Sequence, residues 1–151
     1  MTEDAVDILL VEDSPADVEL TLHALRQNNL ANRIHVVRDG EEALGYLLGQ
    51  SSGDRAFDLS LKLVLLDLKL PKVSGLDVLR AIKSDARTKV IPVVVLTSSR
   101  EEKDLSEVYN LGVNSYIQKP VDFEQFRAVV KQLHLYWLLV NQPPVRSLTA
   151  R

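Results

Sequence analysis

Short apolar runs recur along the chain, and each gives way to polar residues. Asp7-Ile8-Leu9-Leu10-Val11 ends in Glu12-Asp13, and Lys62-Leu63-Val64-Leu65-Leu66 ends in Asp67. Val93-Val94-Val95-Leu96 leads into Thr97-Ser98-Ser99, and Ser115-Tyr116-Ile117-Gln118 into Lys119-Pro120. Continuous apolar runs of this length read as strands buried on both faces. Arg33 to Val37 adds a short second strand. The spacing between runs is helical. Val18, Leu22 and Leu25 fall at i, i+4, i+7 behind Ser14-Pro15, a cap followed by a first-turn proline. That helix runs to about Gln27, where Asn28-Asn29 ends it. Asp39-Gly40 opens a second helix with Ala43, Leu44, Leu47 and Leu48 inward. A third spans Gly75 to about Ser84 on Leu76, Leu79 and Ile82. A fourth runs from about Glu101 to Asn110 with Leu105 and Val108, capped by Gly112 in the left-handed region. The last starts near Asp122 and buries Phe123, Phe126, Val130 and Leu133. Gln50 to Ser60 is polar and turn-rich and reads as a surface loop. Strand and helix alternate five times. The pattern predicts an α/β fold: a doubly wound, five-stranded parallel sheet of flavodoxin-like order 2-1-3-4-5, with right-handed crossovers.

Composition narrows what such a fold does here. At 151 residues the chain is the size of one domain. A net charge of −3 argues against nonspecific nucleic-acid binding, which needs a basic patch. No apolar run approaches the roughly 18 residues of a membrane span, so no membrane role is expected. The acidic start Met1-Thr2-Glu3-Asp4 lacks the basic region of a signal peptide. Cysteine is absent, which excludes disulfides and thiolate chemistry. A cytoplasmic protein is the expectation.

The chemistry-bearing residues lie at strand ends. Glu12 and Asp13 follow the first strand, Asp67 the third, Thr97 the fourth and Lys119 the fifth. In a parallel sheet these ends share one edge, where open α/β folds bind ligands. Converging carboxylates repel: two unit charges about 4 Å apart cost on the order of 4 kcal/mol at an effective dielectric of 20. A divalent cation relieves this, and a carboxylate and water ligand set suits Mg2+. One Asp67 oxygen then stays free to attack phosphorus, as in enzymes that form aspartyl phosphates. Lys119 would stabilise the charge on the transferred group, and the Thr97 hydroxyl could donate to one of its oxygens. Taken singly these residues have plainer readings. Glu12-Asp13 could be a helix-entry cap, Asp67 a turn former, Thr97 a cap, Lys119 a solvated strand end, and Tyr116 half-buried packing.

Together they match a family. The chain resembles the receiver domain of two-component response regulators over roughly Asp7 to Leu133. The match is carried by Glu12-Asp13, Asp67, Pro71 and Gly75 in the following loop, Thr97-Ser98, Tyr116 and Lys119-Pro120. The resemblance implies that Asp67 accepts a phosphoryl group from a sensor histidine kinase. It implies that Asp13, Asp67 and the Lys69 backbone carbonyl hold Mg2+, with Glu12 acting through water. It implies a cis bond at Lys119-Pro120; X-Pro bonds favour trans by only about 0.5–1 kcal/mol. It also implies a switch in which Thr97 moves toward the phosphoryl oxygens and Tyr116 turns into the vacated space. The chain catalyses nothing beyond its own phosphorylation and slow dephosphorylation on this reading, so it is a signalling protein and not an enzyme. The insertion before the third strand and the extended last helix are similar to small regulators paired with cyanobacterial phytochrome kinases.

Lys69 departs from common usage in the family, where an uncharged residue is frequent. A cation there could pair with Glu12 or Asp67, or screen the phosphoryl group from water. It also argues against the haloacid dehalogenase class of Asp-nucleophile phosphatases, which expects Asp at that place. Nucleotide-binding motifs GxxxxGK[ST] and GxGxxG are absent. A phosphorylation-independent pseudo-receiver adaptor is the remaining alternative, and the complete Glu12, Asp13, Asp67, Thr97, Lys119 set speaks against it. His23, His35 and His134 are scattered and read as surface or structural. The receiver domain is expected over residues 1–137. Residues 138–151 form a tail. The apolar group Leu135 to Val140 could wrap back onto the domain, but Tyr136, Trp137, Leu139 and Val140 cannot all face one core, so a homodimer seam is the favoured expectation.

Overall fold

The computed structural model describes residues 7–26, 33–49, 61–97, 106 and 108–135. Strands β1 (Ile8–Val11), β2 (Ile34–Val37), β3 (Leu63–Asp67), β4 (Val93–Thr97) and β5 (Ser115–Gln118) alternate with helices α1 (Pro15–Arg26), α2 (Gly40–Leu48), α3 (Gly75–Ser84) and α4 (Phe123–Gln132). Residues 106 and 108–110 are helical and belong to the helix expected between β4 and β5. The sheet order is β2-β1-β3-β4-β5, with every pair parallel, as the alternation predicts.

Successive side chains of a strand point to opposite faces, so a run buried on both faces feeds two cores. Leu9, Val11, Val64, Leu66, Val93 and Val95 face α2 and α3, meeting Ala43, Leu47, Leu79 and Ile82. Ile8, Leu10, Leu63, Leu65, Val94 and Leu96 face the other way, toward Val18 and Leu25 of α1 and Phe126 and Val130 of α4. All residues of β1, β3 and β4 are buried. Leu22, Leu44, Leu48, Leu76, Phe123 and Leu133 lie at the margins, only partly buried.

Local chemistry sets the helix starts. The Ser74 and Asp122 side chains accept from Asp77 N at 3.2 Å and Gln125 N at 2.8 Å. Asp39 accepts from Glu42 N at 2.7 Å, while Glu42 Oε1 accepts from Arg38 N at 2.9 Å. The Asp39 contact satisfies a donor that a helix start leaves open, and the Glu42 contact ties the residue before the cap to the first turn. Gly112 adopts φ 90°, the left-handed conformation its position predicts, and Lys119-Pro120 is cis.

Among the described residues no helix is long and apolar enough to cross a membrane. The loop expected over Gln50–Ser60, residues 98–105 with Ser98, the chain end from Tyr136 and the boundary drawn at 137 lie outside the described residues.

Candidate functional site at the sheet edge

Register brings the strand ends together. Val11 pairs with Leu66, so Glu12 and Asp67 emerge side by side. Asp67 pairs with Leu96, and Thr97 pairs with Gln118, the residue before Lys119. β4 thus runs one residue further than its apolar run, and Thr97 closes it. Glu12, Asp67 and Thr97 are buried, whereas Asp13 is exposed at the rim.

Oxygens of Glu12, Asp13 and Asp67 all lie within 4.8 Å of one another. Opposite them stands Lys119, its Nζ 2.8 Å from Glu12 Oε1 and 3.3 Å from Asp67 Oδ2. Its third contact is Asp17 Oδ2 at 3.0 Å, and that contact alone has hydrogen-bond alignment. Glu12 Oε2 accepts from Ser14 N at 3.2 Å, but Oε1, fully buried, has no aligned hydrogen bond. Burial raises the Glu12 carboxyl to about 7 against the pull of Lys119, and Asp67 adds to the rise. Burial opposes the charge on Lys119, yet the Glu12, Asp17 and Asp67 carboxylates outweigh it and hold the ammonium above its ordinary range.

An acidic trio with a buried, unaligned oxygen fits a hard divalent cation, which takes oxygen ligands and offsets like charge. Among the described residues it is the cluster that has this geometry.

The loop after β3 is fixed from two sides. Gly75 N donates to Leu68 O at 2.8 Å, and a Cβ on Gly75 would collide with Asp67 O and the Leu68 backbone. Gly40 N donates to Pro71 O at 3.4 Å, and Lys72, at φ 70°, reaches Asp39 and Glu41 at 3.6 Å each. Pro71 thus ties the loop to the start of α2, and Gly75 ties it to Leu68 beside Asp67. Pro120 continues the chain from Lys119 into α4, its carbonyl accepting from Gln125 Nε2 at 3.0 Å.

Of the two roles expected of the Lys69 side chain, pairing with Glu12 or Asp67 is not found among the described contacts, and screening of the phosphoryl group is untouched by it. The Lys69 backbone N donates to Asp67 Oδ1 at 3.3 Å, but its side chain is exposed and pairs with neither Glu12 nor Asp67. Lys119 already occupies the acidic side of both. Tyr116 is 39% exposed and meets Tyr109 edge-on, ring centres 6.1 Å apart. His35 stacks on Tyr46 at 4.6 Å, a packing role.

Asp17 is the residue that sequence reasoning missed. It reads as an acid in the first turn of α1, favourable there for the helix dipole alone. Its i+4 spacing from Asp13 was the available signal, since that places both at the same end of the helix.

The pattern of the response regulator receiver domain matches residues 8–131. The chain belongs to the response regulator receiver family. Similar proteins include the probable methanogenesis regulatory protein FilR2 of Methanothrix harundinacea, 44% identical over 142 residues, which cover 94% of this receiver and 90% of that protein. Response regulator Rcp1 of Synechocystis is 39% identical over 131 residues, covering 87% and 88%. The structure of the bacteriophytochrome response regulator AtBRR superposes with a TM-score of 0.79 at 51% identity, covering 92% of this receiver and 99% of that chain. The Mn(2+)-bound form of Rcp1 superposes at 0.70 with 36% identity, covering 97% and 99%. The receiver's Glu12, Asp13 and Asp67 form an acidic cluster whose oxygens could hold a metal ion, and the phosphatase reading is not favoured.

Proposed function

We propose that this receiver takes a phosphoryl group from a sensor histidine kinase onto Asp67 and signals to a partner by changing conformation. The observation that carries the proposal is the convergence of the Glu12, Asp13 and Asp67 oxygens within 4.8 Å, with the Lys119 ammonium 3.3 Å from Asp67 Oδ2. Asp13, Asp67 and the Lys69 carbonyl would hold Mg2+, with Glu12 acting through water. Bound there, the ion would neutralise the trio and draw charge from the incoming phosphoryl oxygens. An Asp67 oxygen forms the O–P bond as the P–N bond of the kinase's phosphohistidine breaks. Lys119 then stabilises the phosphoryl oxygens, and Thr97, buried at the end of β4, donates its hydroxyl to one of them.

The same movement would carry the signal. Thr97 shifts toward the phosphoryl group, and Tyr116, half out in solvent beside Tyr109, turns inward. Ligand-driven change of this kind shifts a two-state equilibrium by its differential affinity for the states. Likeness to the bacteriophytochrome response regulator AtBRR, matched over 99% of its length, supports a phytochrome as the kinase and a single-domain regulator; a cytoplasmic setting is part of the same proposal. A homodimer through the apolar chain end completes the proposal.

The test is incubation with acetyl phosphate and Mg2+, followed by intact mass. Wild type gains one phosphoryl group, and Asp67→Asn gains none. A mutant that labels equally well assigns the acceptor elsewhere. Turnover of general phosphate esters would instead mark a phosphatase, and no labelling of either protein an adaptor.

A further inference from the structure

The contact between Asp17 and Lys119 is not needed to fold the start of α1. Ser14 caps that helix, its Oγ accepting from Asp17 N at 3.3 Å. In a capping box the third residue's carboxylate reaches back to the cap residue's own N–H. Here Ser14 N instead donates to Glu12 Oε2 at 3.2 Å. Glu12 therefore does the job open to Asp17, and the Asp17 carboxylate is left to cross to β5 and accept from Lys119 at 3.0 Å.

An ammonium has three protons, and Lys119 faces three carboxylates. Only the contact to Asp17 is aligned as a hydrogen bond. Asp17 also stands apart from the Glu12, Asp13, Asp67 trio, so it draws on the lysine without contributing to the cation cluster. Any anion arriving on Asp67 must recruit this same Nζ. We propose that Asp17 is a positioning residue that competes with the phosphoryl group for Lys119, restraining the phosphorylated state. The inference rests on Asp67 as acceptor and adds a rival for its stabilising lysine.

Charge-assisted hydrogen bonds contribute about 1.5–3 kcal/mol net, and partial exposure of Asp17 places this one at the low end, about a tenfold effect. The test is titration with beryllofluoride, a phosphoryl mimic, at saturating Mg2+, followed by tryptophan and tyrosine fluorescence. Asp17→Asn should bind the mimic about tenfold more tightly than wild type. Asp17→Glu, which restores the charge, should return toward wild type. Glu19→Gln removes the same charge from an exposed position on α1 and should shift affinity less than twofold. Thermal unfolding checks that each variant is folded. Mn2+ affinity, measured separately, should not improve in Asp17→Asn, because a negative charge has left the neighbourhood of the cation.

Unchanged or weaker binding of the mimic by folded Asp17→Asn overturns the proposal, as does an equal gain in Glu19→Gln. Failure of wild type itself to bind beryllofluoride would strike at the acceptor reading instead. A purely structural Asp17 predicts loss of stability without any gain in affinity.

Discussion

At the residue scale the site is governed by Glu12, a fully buried carboxyl with an imperfect partner. Its folded value of about 7 lies above the ordinary 4.5 because burial penalises the charge more than Lys119 repays it. A carboxyl raised on folding makes the protonated form the favoured one. The cost of ionising it is absent below about pH 4.5, grows as pH rises, and is complete above about 7. Glu12→Gln keeps an oxygen for Ser14 N and removes the charge. In EDTA it should melt higher than wild type at pH 8, with the gap closing toward pH 5. Equal melting at pH 8 would refute this account of the carboxyl. With Mg2+ present the gap should shrink or reverse, since the ion stabilises more strongly the protein that keeps the Glu12 charge beside it. Glu12, Asp67 and Lys119 were legible in the sequence because each ends an apolar run, and parallel strands end together. Asp17 was not. Its role depends on Glu12 having already satisfied Ser14 N, a contact across the β1–α1 turn that no spacing rule reports. Lys69 shows a related limit: position two after Asp67 predicts proximity, and it is the backbone N that bonds Asp67 while the side chain is exposed.

At the element scale, helix placement holds Asp67 still. α3 begins so close behind β3 that Gly75 has no room for a side chain. Gly75→Ala should destabilise the protein by about 1–3 kcal/mol, the usual cost of overpacking, and weaken Mn2+ binding because Asp67 and Leu68 must move. Gly45, inside α2, is the control. Nothing lies within 4 Å of a Cβ there, so Gly45→Ala should stabilise by about 0.5–1 kcal/mol through helix propensity. Urea unfolding reads both, and a Gly75→Ala protein as stable as wild type would dismiss the close approach as accommodating. The elements themselves were readable because helix starts announce themselves here. Ser14-Pro15, Asp39 and Asp122 each cap where a strand gives way to helical spacing. Strand bounds were less so: β2 starts at Ile34 and β4 reaches Thr97, since a ladder hydrogen bond, not hydrophobicity, decides the terminal residue.

For the whole molecule, the sheet separates the chemistry from the end of α4. Each helix runs back against the strands, so α4 ends at the edge where they begin; Ser115 at the start of β5 contacts Gln132 at the end of α4, Oγ to Oε1 at 3.4 Å. There Leu133 and Leu135 pack on the core beside Val129 and Val130, and Leu135 N donates to Val130 O at 2.8 Å. That face of the sheet is covered by Leu135. The apolar character of Tyr136, Trp137, Leu139 and Val140 in the sequence suits a second copy of the chain, the dimer proposed above. A chain ending after Leu135 keeps every described core contact. It should sediment as a monomer where the full chain sediments as a dimer, and its melting should become independent of protein concentration. Because the site lies at the opposite edge, acetyl phosphate should label Asp67 of the shortened protein at the wild-type rate. A shortened protein with undiminished mass in sedimentation would place the dimer seam elsewhere. A monomer with impaired labelling would show instead that the two ends of the sheet are coupled through α4.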